Sequence, residues 1–157
     1  MREVKIAAYA VVFDKQGKIL IRGARSRIKM TIPGGILKDI DHVGNRRIKD
    51  YLLKVVPEQT RMSADEIEKK IQDSPPCYPA DDDKENIYYF APIIRTDFVP
   101  DIGSDVDFVS FDEFDRLRLP HAVKIMGYRA FVSRDCPDKE CLGRAVEALK
   151  IEQRKHS

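Results

Sequence analysis

The sequence predicts an α/β domain, and three observations predict it. An apolar hairpin opens the chain, from Val4 to Arg22. A glycine turn, Pro33-Gly34-Gly35, then leads to an amphipathic helix. Further strands follow, interleaved with helices, so hydrophobic periods of strand and helix type alternate along the chain. At 157 residues the chain fits one domain, and a hydrophobic content of 43% suffices for its core. No apolar run reaches the roughly 18–20 residues of a membrane span. Met1-Arg2-Glu3-Val4-Lys5 begins no secretory apolar region of the usual length. The expectation is a soluble, cytoplasmic protein with no membrane contact.

Val4 to Phe13 reads as one long strand buried on both faces, and Asp14-Lys15-Gln16-Gly17 as a turn. Lys18 to Arg22 returns as the second strand. Arg22 to Lys29 is a basic loop, either solvated or facing an anion; its place before the glycines favours the anion, through Arg22, Arg25 and Arg27. Met30-Thr31-Ile32 is a short strand entering Gly34 and Gly35, whose turn would present backbone N–H groups to a phosphate. The helix is expected from about Val43 to Val56. Ile48, Tyr51, Leu52 and Val55 make its apolar stripe, Asp41 or Asn45 its cap, and Pro57 its stop. Asp50 and Lys54 are spaced to pair on the other face, where Leu53 is out of place.

Ser63-Ala64-Asp65-Glu66 is a capping box opening a short, exposed helix to about Ile71. Asp73 to Lys84, rich in proline and carrying Asp81-Asp82-Asp83, reads as a solvated surface loop. Asn86 to Arg95 is a strand, with Pro92 at an edge or bulge. Core packing is the plainer account of Tyr88, Tyr89 and Phe90, although Tyr89 is a candidate to stack a base. Val106 to Phe111 alternates as a strand, Asp112 to Leu117 is a short helix, and helices follow over Ala122–Phe131 and Lys139–Arg154.

Net charge is +2, unevenly spread. Residues 1–56 carry 13 basic and 5 acidic side chains, and residues 57–120 carry 7 and 16. The basic part holds the glycine turn, which suits an anionic ligand. Cys77, Cys136 and Cys141 are odd in number, which argues against a disulfide framework, and with His42, His121 and His156 scattered they show no zinc-ligand spacing.

Three segments, in order, resemble the Nudix hydrolase superfamily from about Val4 to Val132. They are Ala7–Phe13 with the hairpin to Ile21, then Thr31-Ile32-Pro33-Gly34-Gly35, then Phe108-Val109-Ser110-Phe111-Asp112-Glu113-Phe114. The resemblance implies a Nudix-type α/β/α sandwich around a mixed β-sheet. It also implies Mg- or Mn-dependent attack of water on the pyrophosphate of a nucleoside diphosphate derivative. With the first glycine of the family's box on Gly35, its first Glu falls on Asp41, its Arg on Lys49 and the next Glu on Asp50. The paired metal-binding Glu positions fall on Leu53 and Lys54, and the closing glycine and aliphatic residue on Val56 and Pro57. Asp50 and Asp41 are then the metal candidates, and Asp50, Asp41 and Lys49 the catalytic ones. Gly34, Gly35, Arg22, Arg25, Arg27, Lys54 and Tyr89 are the ligand-binding candidates.

One carboxylate survives where a hard cation wants several, and Lys54 repels the cation while suiting a phosphate. The leading expectation is therefore a phosphate-ligand binder with weak or lost pyrophosphohydrolase activity, needing no metal for binding. A second is an active enzyme with relocated carboxylates, drawn from Asp39, Asp41, Asp50, Glu58, Glu85, Asp112 and Glu113. A third is an interaction module that contacts a protein through the final helix. Nucleic acid ranks lowest, because no aromatic–basic motif is present. Residues 1–134 are expected to form the Nudix-like domain, with 135–157 a helix and basic tail packed on it or extending it.

Overall fold

The computed structural model describes residues 5–37, 45–71, 77–79 and 87–155. Eight strands and five helices fall among them, with β1 at Lys5–Tyr9, β2 at Val11–Phe13, β3 at Ile19–Arg22 and β4 at Gly34–Leu37. Helices α1 (Asn45–Thr60) and α2 (Ala64–Lys70) precede β5 (Cys77–Pro79), β6 (Ile87–Phe90), β7 (Ile93–Arg95) and β8 (Val106–Val109). The chain then turns helical, with α3 at Phe111–Arg116, α4 at His121–Val132 and α5 at Leu142–Arg154.

The expected α/β/α sandwich is present, and its β layer is two four-stranded mixed sheets, ordered β4-β1-β6-β5 and β7-β2-β3-β8. Two chain segments cross between them, which corrects two expected strands. Val4–Phe13 divides at Ala10, and Asn86–Arg95 divides at Ala91-Pro92. The two segments run parallel, β1 beside β6 from Lys5↔Ile87 to Ala8↔Phe90, and β2 beside β7 from Val11↔Ile93 to Phe13↔Arg95. Pro92 has no N–H to give a ladder, so a bend is where a central strand tolerates it. Its carbonyl still accepts from Val11 N–H at 2.9 Å, and Ala10 N–H donates to the Pro33 carbonyl at 2.8 Å.

Strand alternation sorts the core. Val11, Phe13, Ile19 and Ile21 face α3, α4 and α5, packing with Phe111, Phe114, Met126 and Phe131. Ala8, Ala10, Val12 and Leu20 face α1 and α2, packing with Ile48, Leu52, Val56, Met62 and Ile67. Edge-to-face rings knit the first side, Phe13 to Phe131 at 5.2 Å and Phe114 to Tyr128 at 5.4 Å. Cys136, Cys141 and Ala145 belong to this same cluster, so α5 shares the core of the strands.

Other expectations shift. The glycine turn is instead the start of β4, with Gly34 opposite Tyr9 and Gly35 opposite Ala8. Thr31 makes only an isolated bridge to Arg22. Pro57 lies inside α1 and does not stop it. The Pro57 ring cannot donate to the Leu53 carbonyl, but the turn beyond it is held. Arg61 N–H donates to the Pro57 carbonyl at 2.8 Å, and buried Thr60 donates its hydroxyl to the Val56 carbonyl at 2.7 Å. Asn45 is already helical, and the other cap candidate, Asp41, lies outside the described residues. Helix α2 starts after Ser63 without a side-chain cap, and its Ile67 is fully buried, so the helix is less exposed than expected. Within the proline-rich loop, Cys77–Pro79 pairs with β6 as a strand. Asp39, Asp81-Asp82-Asp83 and Glu85 lie outside the described residues.

Candidate functional site

The site grows from β4. Gly34 adopts φ 140, and a Cβ there would lie 2.2 Å from the Ala8 carbonyl oxygen and 2.6 Å from Tyr9 Cα. Only glycine fits that approach. At Gly35 a Cβ would meet the Tyr51 hydroxyl at 2.5 Å. Helix α1 therefore presents its Tyr51 and Gln59 side to the glycines, two residues eight positions apart and so on one face. Gln59 closes a two-point clamp on Gly34. Gly34 N–H donates to Gln59 Oε1 at 2.8 Å, and Gln59 Nε2 donates to the Gly34 carbonyl at 3.0 Å.

Tyr9 and Tyr51 border this strand, and Tyr89 and Arg22 lie beside Tyr9. The Tyr9 and Tyr89 rings stack at 6.4 Å with a 26° tilt. Burial raises the Tyr9 phenol above its ordinary range, Tyr51 raises it further, and the Arg22 guanidinium opposes both. The same burial raises Tyr51, again with Arg22 opposing. Arg22 thus stands close enough to both phenols to act on each. Arg22 also lines a cavity of about 360 Å³ with Lys29, Glu58, Gln59, Arg61 and Asp105.

The box residues lie elsewhere on α1. Asp50 and Lys54 are exposed, Lys49 is half-buried, and Leu53 is half-buried against the α1–α2 core, which explains an apolar residue on that side. Asp50 and Lys54 form no ion pair, contrary to expectation. An exposed pair gains little Coulomb energy against the rotamer entropy it loses. Asp41 lies outside the described residues. Asp50, Leu53 and Lys54 offer a divalent cation one carboxylate, one aliphatic group and one repelling ammonium, so these residues do not fit Mg or Mn. Among the described residues, no three His, Cys, Asp or Glu side chains come together to hold a metal ion.

The basic loop has a tenant of its own. Arg25 and Ser26 N–H donate to Asp105 Oδ1 at 3.0 and 2.8 Å, and the Ser26 hydroxyl donates to Oδ2 at 2.7 Å. Gly23 and Ala24 N–H donate to the Asp105 carbonyl at 2.8 and 3.2 Å. The bonds to the carboxylate, the Ser26 amide foremost, hold the Asp105 carboxyl below its ordinary range. The backbone donors from Gly23 to Ile28 are therefore spent within the protein, those of Arg25 and Ser26 on the carboxylate. What remains for an external anion includes the exposed side chains of Arg25, Arg27 and Lys29.

A larger cavity, about 740 Å³, lies between α3, α4 and α5, away from the glycines. Several of its charged groups are bound within the fold. Lys124 Nζ donates to the Phe114 and Asp115 carbonyls at 2.7 and 2.9 Å, closing the C-terminal end of α3. The Tyr128 hydroxyl donates to Asp115 Oδ1 at 2.5 Å, His121 Nδ1 meets Glu152 Oε2 at 2.8 Å, and Arg144 pairs with Asp112.

Sequence reasoning singled out Gly34 and Gly35, which lie on β4, and Arg22 and Tyr89, which lie on β3 and β6 and each act on Tyr9. It left out Tyr9, used Tyr51 only as core, and placed Gln59 beyond the helix. The signal for Gln59 was present: it continues the Tyr51–Val55 spacing by one turn, once Pro57 is read as internal.

No family model and no curated protein sequence matches the chain. Solved structures do. A MutT protein from Methanosarcina mazei Go1 matches with a TM-score of 0.55 at 16% identity, over 82% of this chain and 94% of that one. A MutT/nudix family protein from Enterococcus faecalis matches with a TM-score of 0.51 at 12% identity, over 100% and 77%. A bifunctional NMN adenylyltransferase/ADP ribose pyrophosphatase from Francisella tularensis gives 0.48 at 15% identity, over 71% of this chain and 35% of that one. This chain thus spans about a third of that third protein's length. At such identities the likeness is one of fold.

Proposed function

We propose, taking the Nudix fold as the premise, that this protein binds a phosphate-bearing ligand of the nucleoside diphosphate type. Its metal-dependent pyrophosphohydrolase activity is weak or lost. The observation that carries the reading is the outer face of α1, where an exposed Asp50 has Leu53 and Lys54 as its helical neighbours. Metal-assisted hydrolysis needs a cation with an open position to activate water. A lysine ammonium supplies fixed positive charge for a phosphate and no such position. Lys54, Lys49, Arg22 and the exposed Arg25 and Arg27 would bind phosphates, and the stacked Tyr9–Tyr89 pair would receive the base. Residues 1–134 would carry the site and 135–157 complete the same unit, in the cytoplasm.

The test is a panel of ADP-ribose, dinucleoside polyphosphates, sugar nucleotides and nucleoside triphosphates, each with Mg²⁺, Mn²⁺ or chelator, read by chromatography and by thermal shift. Stabilisation by a panel member without turnover is the expected result. Metal-dependent turnover abolished by Asp50→Asn would falsify the loss of hydrolysis and favour relocated carboxylates. A second reading, contact with a protein through α5, is favoured by the exposed Leu142 and Ile151, at 40% and 54%. Neither turnover nor stabilisation, with partner binding lost on Leu142→Ser and Ile151→Ser, would install it.

A further inference from the structure

Cys136 and Cys141 bracket the turn that joins α4 to α5. Both are free thiols, and both are buried, at 1% and 0% exposure. Their sulfurs share one acceptor. Cys136 Sγ donates to the Asp138 carbonyl at 3.4 Å and Cys141 Sγ to the same oxygen at 3.7 Å. Two thiols on one oxygen are neighbours. The turn that sets them there is pinned on three sides. Asp138 Oδ1 accepts from Glu140 N–H at 2.9 Å, and Lys139 Nζ donates to the Arg134 carbonyl at 3.0 Å. Asp138 also packs on the β2–β3 turn so closely that a Cβ on Gly17 would lie 2.5 Å from its own Cβ.

The two sulfurs differ. Burial raises both above the ordinary thiol range. Contact between them lowers Cys136 and raises Cys141, which reaches about 11. Both rest protonated at neutral pH. Two thiols fall short of the four ligands a structural zinc needs, and no third metal-ligating side chain joins them among the described residues.

We propose that Cys136 and Cys141 form a redox-active dithiol that closes to an intramolecular disulfide by exchange with a low-molecular-weight disulfide. One thiol of the pair, after losing its proton to solvent, attacks one sulfur of the small disulfide and releases the first thiolate. The other, deprotonated in turn, attacks the protein sulfur of the mixed disulfide and releases the second. Two protein thiols are oxidised, one small disulfide is reduced to two thiols, and the two protons end on those leaving groups. Burial makes the exchange wait on an opening of the turn, whose Arg134, Lys139 and Glu140 are exposed. The pair therefore rests reduced in a reducing compartment and closes when the thiol pool is oxidised. Closure ties the end of α4 to the start of α5.

The test uses the full chain equilibrated at pH 8 in glutathione buffers of rising disulfide fraction, then alkylated and digested with trypsin. Cleavage after Arg134, Lys139 and Arg144 places the two cysteines in separate peptides, Asp135–Lys139 and Glu140–Arg144. The expected result is an intact mass lower by about 2 Da before alkylation, a cross-linked pair of these peptides that separates on reduction, and a Tm higher by about 5 °C. Cys141→Ser should instead carry one glutathione on Cys136 and show no rise in Tm. The proposal fails if each peptide of the wild-type chain carries its own glutathione with no cross-link. It fails equally if the link goes to Cys77, or if both thiols stay reduced while an unfolded control reacts.

Discussion

Gln59 shows how much one side chain decides at β4. Its amide satisfies both backbone groups of Gly34 at 2.8 and 3.0 Å. The last turn of α1 is thereby fixed to the strand that carries the glycines. Gln59→Ala removes both bonds at a half-buried position. It should lower stability by about 1–2 kcal/mol, read as a reduced urea midpoint. It should weaken ligand stabilisation more than Ala substitution at exposed Glu58 does. Asp105 carries a second prediction. Its carboxyl is held below its ordinary range by the loop amides. A depressed carboxylate contributes stability that is present above its unfolded value and is lost as pH falls through the folded one. The basic loop should therefore hold at neutral pH and loosen in the acid range below about pH 4. Amide exchange at Arg25 and Ser26 reads this directly, and Asp105→Asn should bring the loosening to neutral pH. Unchanged protection from pH 7 down to 2 would show that the carboxylate does not hold the loop.

At the scale of elements, α1 is the helix whose end is set by its surroundings. Proline in a helix interior removes one ladder bond and strains the preceding turn, at about 3 kcal/mol. The helix nevertheless runs to Thr60, because Val56 and Thr60 are buried and Gln59 is clamped. Tertiary contacts here outweigh local propensity. Pro57→Ala restores an N–H for the Leu53 carbonyl while losing proline's restraint on the unfolded chain. The net gain should be about 1–2 kcal/mol, seen as a higher Tm. A lower Tm would mean that Pro57 is what aligns Gln59 with Gly34. The short α3 shows the reverse economy. It combines a Ser110 cap on Glu113 N–H at 3.2 Å with Lys124 at its far end, so six residues are fixed from both sides.

For the whole molecule, the two crossing segments join the sheets, and α5 completes one core rather than decorating it. Cys136, Cys141 and Ala145 are buried with Phe13 and Phe131, and Leu149 packs on the same cluster. A chain ending at Arg134 exposes that surface. Its loss of about 5 kcal/mol or more is comparable to the stability of an ordinary domain, so no cooperative thermal transition should remain. A sharp transition in the truncated chain would show α5 to be dispensable. The sequence alone determined the strand and helix types, the apolar stripe through Ile48 and Leu52, the two-faced burial of Val11–Phe13 and the loss of acid at Leu53 and Lys54. These follow from side-chain period and chemistry, which are local. The tertiary structure decided where strands bend between sheets, that Gly34 lies in a strand, that Pro57 is internal and that Gln59 faces the glycines. It also decided that Asp105, some eighty positions along the chain, fills the basic loop. Each of these depends on a partner distant in sequence, and periodicity records which face of a segment is apolar without recording what that face will meet.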